Sequence, residues 1–232
     1  MKRLTFFVAA LVVLMVMTVP AHAQKYYVGI IGGLNNADFT LEDYGVDRDV
    51  SPRSLFGIGG VFGLSFSKYF SIQLEPMVLQ KGGLISDNTP QLFLKSSYLE
   101  LPVFLKVIPV DVNNKLQTYL LAGPSVGLLL SSEITGESGG LVFKGDVKDI
   151  QRKIDLGLAL GGGISLTIGK CSLFVEARYT FGLNDINKGG TVEFRSGSIV
   201  EVEEIRAEDR MFNKGFQLLV GFTLPIGSRK SM

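Results

Sequence analysis

The chain has 232 residues, 23 lysines and arginines against 22 aspartates and glutamates, 28 glycines, one cysteine and one histidine, and 46% of it is apolar. The near balance of charge excludes a basic field for nucleic acid. The one histidine, His22, falls in the export segment read next, so Ser-His-Asp, Cys-His and histidine-zinc chemistry are excluded for the rest.

The chain opens as an export signal. Lys2 and Arg3 precede an apolar run from Leu4 to Val19, followed by Pro20-Ala21-His22-Ala23. A basic start, a hydrophobic middle and an Ala-x-Ala end predict cleavage between Ala23 and Gln24. Residues 1–23 are thus read as a cleaved signal peptide and 24–232 as one barrel domain. Beyond residue 23 no apolar run reaches about 18 residues, the length a membrane helix needs. The residue directly after the predicted cleavage site is Gln24, not a cysteine, which argues against a lipid anchor, and the lone Cys171 reads as a packing residue.

Eight strands are predicted: Lys25–Leu34, Ser54–Phe66, Tyr69–Lys81, Ser97–Ile108, Lys115–Leu130, Lys153–Ile168, Cys171–Leu183 and Gly215–Ile226. Each is near or above the roughly 9–11 residues that cross a bilayer as a tilted strand. The connections alternate. Ser67-Lys68, Val110–Asn114 and Gly169-Lys170 are short, whereas Asn35–Arg53, Gly82–Ser96, Ser131–Arg152 and Asn184–Lys214 are long. Short periplasmic turns and long outer loops are the pattern of outer-membrane barrels. The fold class expected is therefore all-β, an eight-stranded antiparallel transmembrane β-barrel in the outer membrane, with both termini periplasmic and lipid around it.

Alternation sets the facing. Ile72, Leu74, Pro76 and Val78 oppose Gln73, Glu75 and Met77. Leu99, Leu101, Val103, Leu105 and Val107 oppose Glu100 and Lys106. Even positions from Ile154 to Ile168 are mostly large and apolar, against Asp155, Gly157, Ala159, Gly161 and Gly163. A lysine or arginine facing lipid at the bilayer midplane costs about 2–4 kcal/mol, so the charged faces point inward. Eight strands leave an interior that side chains just fill. The expected lumen charge network is Glu75, Glu100, Lys106, Asp155, Glu176 and Arg178, paired because unpaired buried charges are too costly. Aromatics near strand ends, including Tyr26, Tyr69, Phe70, Tyr98, Tyr119 and Tyr179, are candidates for interfacial girdles.

The loops offer little chemistry. Asp38, Glu42, Asp43, Asp47 and Asp49 lack the spacing of a calcium loop, and Gly161-Gly162-Gly163 lies in a strand with no Gly-Lys-Ser/Thr. No catalytic, cofactor-binding or metal-binding residues are assigned, and no cofactor. Thr191–Arg195 and Ile199–Glu203 flank Ser196-Gly197-Ser198 and read as a hairpin above the membrane. If those segments crossed instead, the barrel would have ten strands.

Several stretches, in order along the chain, resemble the PorT-like outer-membrane barrel proteins of Bacteroidetes. They are Gly29-Ile30-Ile31-Gly32-Gly33-Leu34-Asn35-Asn36-Ala37-Asp38-Phe39, Gln80-Lys81-Gly82-Gly83, Tyr98-Leu99-Glu100-Leu101-Pro102-Val103, Leu121-Ala122-Gly123-Pro124-Ser125-Val126-Gly127, Asp155-Leu156-Gly157-Leu158, and Glu176-Ala177-Arg178-Tyr179-Thr180-Phe181-Gly182-Leu183. The resemblance implies an envelope role but no single activity; some such proteins are secretion accessories. One departure is the end of the last strand, Leu224-Pro225-Ile226, where many such barrels place an aromatic; Phe222 is the nearest. The function expected is a non-enzymatic envelope barrel with a polar, mostly plugged lumen. It would meet envelope or secretion partners through outer loops or periplasmic turns. The alternative is a narrow, porin-like pore for small solutes or ions.

Overall fold

The computed structural model describes residues 25–42, 49–86, 91–112, 115–138, 141–196 and 199–226. The predicted signal peptide and its cleavage site at Ala23 and Gln24 lie outside the described residues. Among the described residues there are thirteen strands: β1 (Lys25–Glu42), β2 (Asp49–Ser51), β3 (Arg53–Ser65), β4 (Phe70–Leu74), β5 (Met77–Ser86), β6 (Gln91–Val112), β7 (Leu116–Ser138), β8 (Leu141–Asp146), β9 (Ile154–Ile168), β10 (Cys171–Gly182), β11 (Gly190–Ser196), β12 (Ile199–Ile205) and β13 (Arg210–Ile226).

Eight antiparallel passes form a closed ring: β1, β3, the β4–β5 pair, β6, β7, β9, β10 and β13. The ring closes where β1 pairs with β13, from Tyr26 opposite Ile226 to Glu42 opposite Arg210. A closed ring leaves no backbone edge in lipid, which is the condition for a β-structure to cross a bilayer. β4 and β5 together make the predicted third strand. Pro76 has no N–H to donate, so the ladder lapses at Glu75-Pro76. The gap is bridged by Glu75 N–H donating to the Pro102 carbonyl (3.2 Å) and Gly60 N–H donating to the Pro76 carbonyl (2.9 Å).

Side-chain parity divides lipid from lumen. Ile30 is 54% exposed while its neighbour Ile31 is 2% exposed. The outward positions of β9, Ile154 through Ile168 at every second residue, carry no charge, nor do those of β7 from Leu116 to Leu130. The short turns join β3 to β4, β6 to β7 and β9 to β10, at the end that also holds Lys25 and Ile226. In the β9–β10 turn Gly169 has φ +64°, a left-handed geometry that a side chain would disfavour.

At the opposite end the strands outrun the predicted ones. β1 continues to Glu42, β6 begins at Gln91, β7 reaches Ser138 and β13 begins at Arg210. β2 pairs with β5, β8 with β7, and β11 with both β8 and β12. The predicted hairpin is β11–β12, and the ring holds eight passes, not ten. Phe39, Ile85, Leu94, Val147, Ile186, Val192, Phe194 and Met211 meet in one apolar cluster built from these extensions. The core therefore begins above the barrel and continues down its interior.

Candidate functional site

The interior is the only place where the chain gathers charged side chains away from water, among the described residues. Two groups form. In the first, Arg178 of β10 is opposite Gln217 of β13 and Gly161 of β9. Its Nη1 donates to Glu75 and to Glu176 Oε1 (3.1 Å), and its Nε to Gln217 Oε1 (2.6 Å). Glu75 reaches it from the interrupted β4–β5 pass and also accepts from Gln73 Nε2. Tyr119 Oη donates to Glu176 Oε2 (3.1 Å). The tyrosine reaches over β9 because Gly163, its register partner, has no side chain there; a Cβ would meet the Tyr119 ring and the Val175 carbonyl.

In the second group, Glu100 of β6, Gly127 of β7 and Asp155 of β9 lie in one row of the register. Lys81 of β5 meets both carboxylates, Glu100 Oε2 at 2.6 Å and Asp155 Oδ2 at 2.9 Å. Asn213 Nδ2 donates to Asp155 Oδ2 (2.8 Å). Beside this group is a cavity of about 10 Å³ lined by Asn35, Lys81, Asp155, Thr180, Asn213 and Gln217, the size of one water. Asn35 Oδ1 and Asp155 Oδ1 are buried without a protein donor.

Five of the six expected network residues, Glu75, Glu100, Asp155, Glu176 and Arg178, are at most 3% exposed and belong to these groups. Lys106 departs from the expected pairing. Among the described residues it makes no ion pair: its ammonium lies 3.7 Å from the Tyr119 ring centroid and donates to Gln73 Oε1 (3.3 Å). An aromatic face and an amide stand in for the carboxylate.

Sequence reasoning missed Lys81, Asn213, Gln217 and Gln73. Lys81 and Asn213 lie at or beyond the predicted strand ends. Extending the parity of Gln73, Glu75 and Met77 by four residues would have found Lys81. Tyr98 and Tyr119, proposed for the girdle, face inward at 0% and 2% exposure. Their parity puts them with Glu100 and Leu121 inside the ring, and an inward phenol needs a polar partner. Tyr26, Tyr69 and Phe70 are exposed at the short-turn end.

The lumen is also less polar than expected. Ile31, Val61, Phe174 and Leu219 form one buried apolar cluster, and Phe104, Ile108, Tyr119, Leu121 and Ala159 another. The polar groups are sandwiched between apolar packing, which lowers the local dielectric and strengthens each ion pair. Such an arrangement can seal and rigidify. No cluster of three or more His, Cys, Asp or Glu suited to a metal occurs among the described residues.

The family described as outer membrane protein beta-barrel domain matches residues 22–188. Among solved structures, the chain is similar to a major outer membrane protein from Thermus thermophilus. They share 11% identity at TM-score 0.53, over 88% of this chain and all (100%) of that one. It is also similar to the outer membrane protein OprG from Pseudomonas aeruginosa (12%, TM-score 0.47, 89% and 97% covered) and to the outer membrane protease OmpT from Escherichia coli (10%, 0.43, 87% and 97%). No curated protein sequence matches.

Proposed function

Because the chain belongs to the outer membrane protein beta-barrel domain family, we propose that it is an outer-membrane barrel with a closed interior, serving the envelope as a structural or interaction component. One observation carries this reading. Arg178 with Glu75 and Glu176, and Lys81 with Glu100 and Asp155, fill the lumen at two levels beneath the apolar cluster around Phe39 and Phe194. An eight-stranded ring has little interior beyond what side chains occupy. The end with the short turns, where Lys25 and Ile226 also lie, faces the periplasm, as short turns do in this architecture. Partners are then met through the outer strands or the periplasmic turns. The resemblance to PorT-like proteins extends the proposal to a secretion accessory role, which deletion of the gene followed by assay of secreted proteins would test.

The deciding experiment is single-channel recording of the refolded protein in a planar bilayer, with a heat-dependent gel shift as the folding control. A folded, silent barrel is expected. Discrete openings altered by Glu75→Ala would overturn the closed reading and leave the narrow-pore alternative, with the interior charges as selectivity groups.

A further inference from the structure

β12 is an open sheet edge outside the barrel. β7, β8, β11 and β12 form a four-stranded fin: Glu133–Ser138 pair with β8, Lys144 and Gly145 of β8 pair with Arg195 and Phe194 of β11, and β11 pairs with β12 along its length. Among the described residues β12 has no second neighbour. An unpaired strand of this kind is a template for another chain.

The register says which backbone groups are open. Two residues connect Ser196 to Ile199, and such a connection closes on a hydrogen-bonded pair. Alternation then turns the N–H and C=O of Val200, Val202 and Glu204 away from β11. The side chains of those three are exposed, Val200 at 55% and Val202 at 61%. β11 anchors the fin from behind, with Val192 and Phe194 packed into the apolar cluster. The edge is therefore held in place rather than adrift.

Charge selects the occupant. Ile199-Val200-Glu201-Val202-Glu203-Glu204-Ile205 has three carboxylates and no cation. The nearest basic side chain on β11, Arg195, is engaged with Glu193 (2.8 Å). A second copy pairing antiparallel about Val202 would set Glu201 opposite Glu203 on both sides, and like charges opposite each other destabilise a sheet. A basic strand would meet glutamates instead. We propose that β12 captures an extended, lysine- or arginine-rich segment of another protein by adding it to the fin as a fifth strand. This names a partner class for the interaction reading above and rests on it only for placing the fin outside the bilayer.

The test uses the refolded protein in lipid nanodiscs and a capped seven-residue peptide of alternating lysine and valine, labelled for fluorescence anisotropy. Binding is expected, weakening with salt. The same peptide N-methylated at alternate amides should bind about tenfold more weakly, the loss of one to two net hydrogen bonds. Val202→Pro should do the same. A proline whose N–H position faces out is compatible with an edge strand, so the hairpin persists, and the heat-dependent gel shift reports an intact barrel. Joint Glu201→Gln, Glu203→Gln and Glu204→Gln substitution should flatten the salt dependence. Equal binding of the N-methylated peptide, or of a glutamate–valine peptide, overturns strand addition of a basic partner. So does self-association in sedimentation that Val202→Pro abolishes. Channel openings would sink the closed-lumen reading while leaving these outcomes untouched.

Discussion

At the scale of single residues, the interior is governed by what happens when one charge loses its partners. Arg178 meets two carboxylates that are both fully buried. Arg178→Met would strand Glu75 and Glu176, and breaking a buried pair by removing one member costs about 3–5 kcal/mol. Urea unfolding of the barrel in micelles should show that loss, and a change below about 1 kcal/mol would mean the carboxylates shed their charge or found another donor. Shape matters as much as charge. Gly163→Val would drive a side chain into the Tyr119 ring and the Val175 carbonyl, and overpacking of this kind costs about 1–3 kcal/mol. Adding Tyr119→Leu should recover part of the loss in a double-mutant cycle; strict additivity would show that the glycine serves some other purpose. Parity alone made Glu75, Glu176 and Arg178 legible in the sequence. Lys81, the last residue of the predicted third strand, keeps the parity of Glu75 and was legible in the same way, whereas Asn213 was not, because β13 begins at Arg210, before the predicted start at Gly215.

At the scale of elements, alternation is a reliable guide only while the register is unbroken. A shift between Ser97/Tyr98 on β6 and Leu129/Ser131 on β7 inserts Leu130 as an extra residue. Inward positions on β7 are odd up to Leu129 and even from Ser132. That flip is what a bulge does, and it hides the upper part of β7 from a period-two reading. The β11–β12 hairpin was legible from its two alternating runs, whereas β8 was not. Its six residues sit inside a long polar loop and become a strand by pairing with β7 and β11. The upper elements depend on the apolar cluster that joins them. Phe194 of β11 belongs to that cluster together with residues of β1, β5 and β6, and emptying a packed phenylalanine site costs about 3–5 kcal/mol. Phe194→Ala should therefore release the hairpin locally, raising its protease cleavage by about 100-fold while the gel shift of the barrel stays the same. Simultaneous loss of both would show that the fin and the ring unfold as one unit.

At the scale of the whole molecule, ring closure and sidedness come from the same arithmetic. An even number of passes returns the chain to the end where it began, so Lys25 and Ile226 lie beside the three short turns. The apolar cluster, β2 and the fin all lie at the opposite end. The two ends are thus chemically unlike: one offers short polar turns such as Ser67-Lys68, the other a packed cap carrying an acidic edge. If the capped end faces outward, a membrane-impermeant maleimide added to intact cells should label a cysteine at Glu208 and spare one at Lys68. Both positions are exposed, and Cys171→Ser removes the background thiol. Permeabilising the outer membrane should then make Lys68→Cys reactive without changing Glu208→Cys. The reverse pattern would put the fin in the periplasm. The basic segment proposed for β12 would then belong to a periplasmic protein, and any surface partner would have to be reached through the short turns.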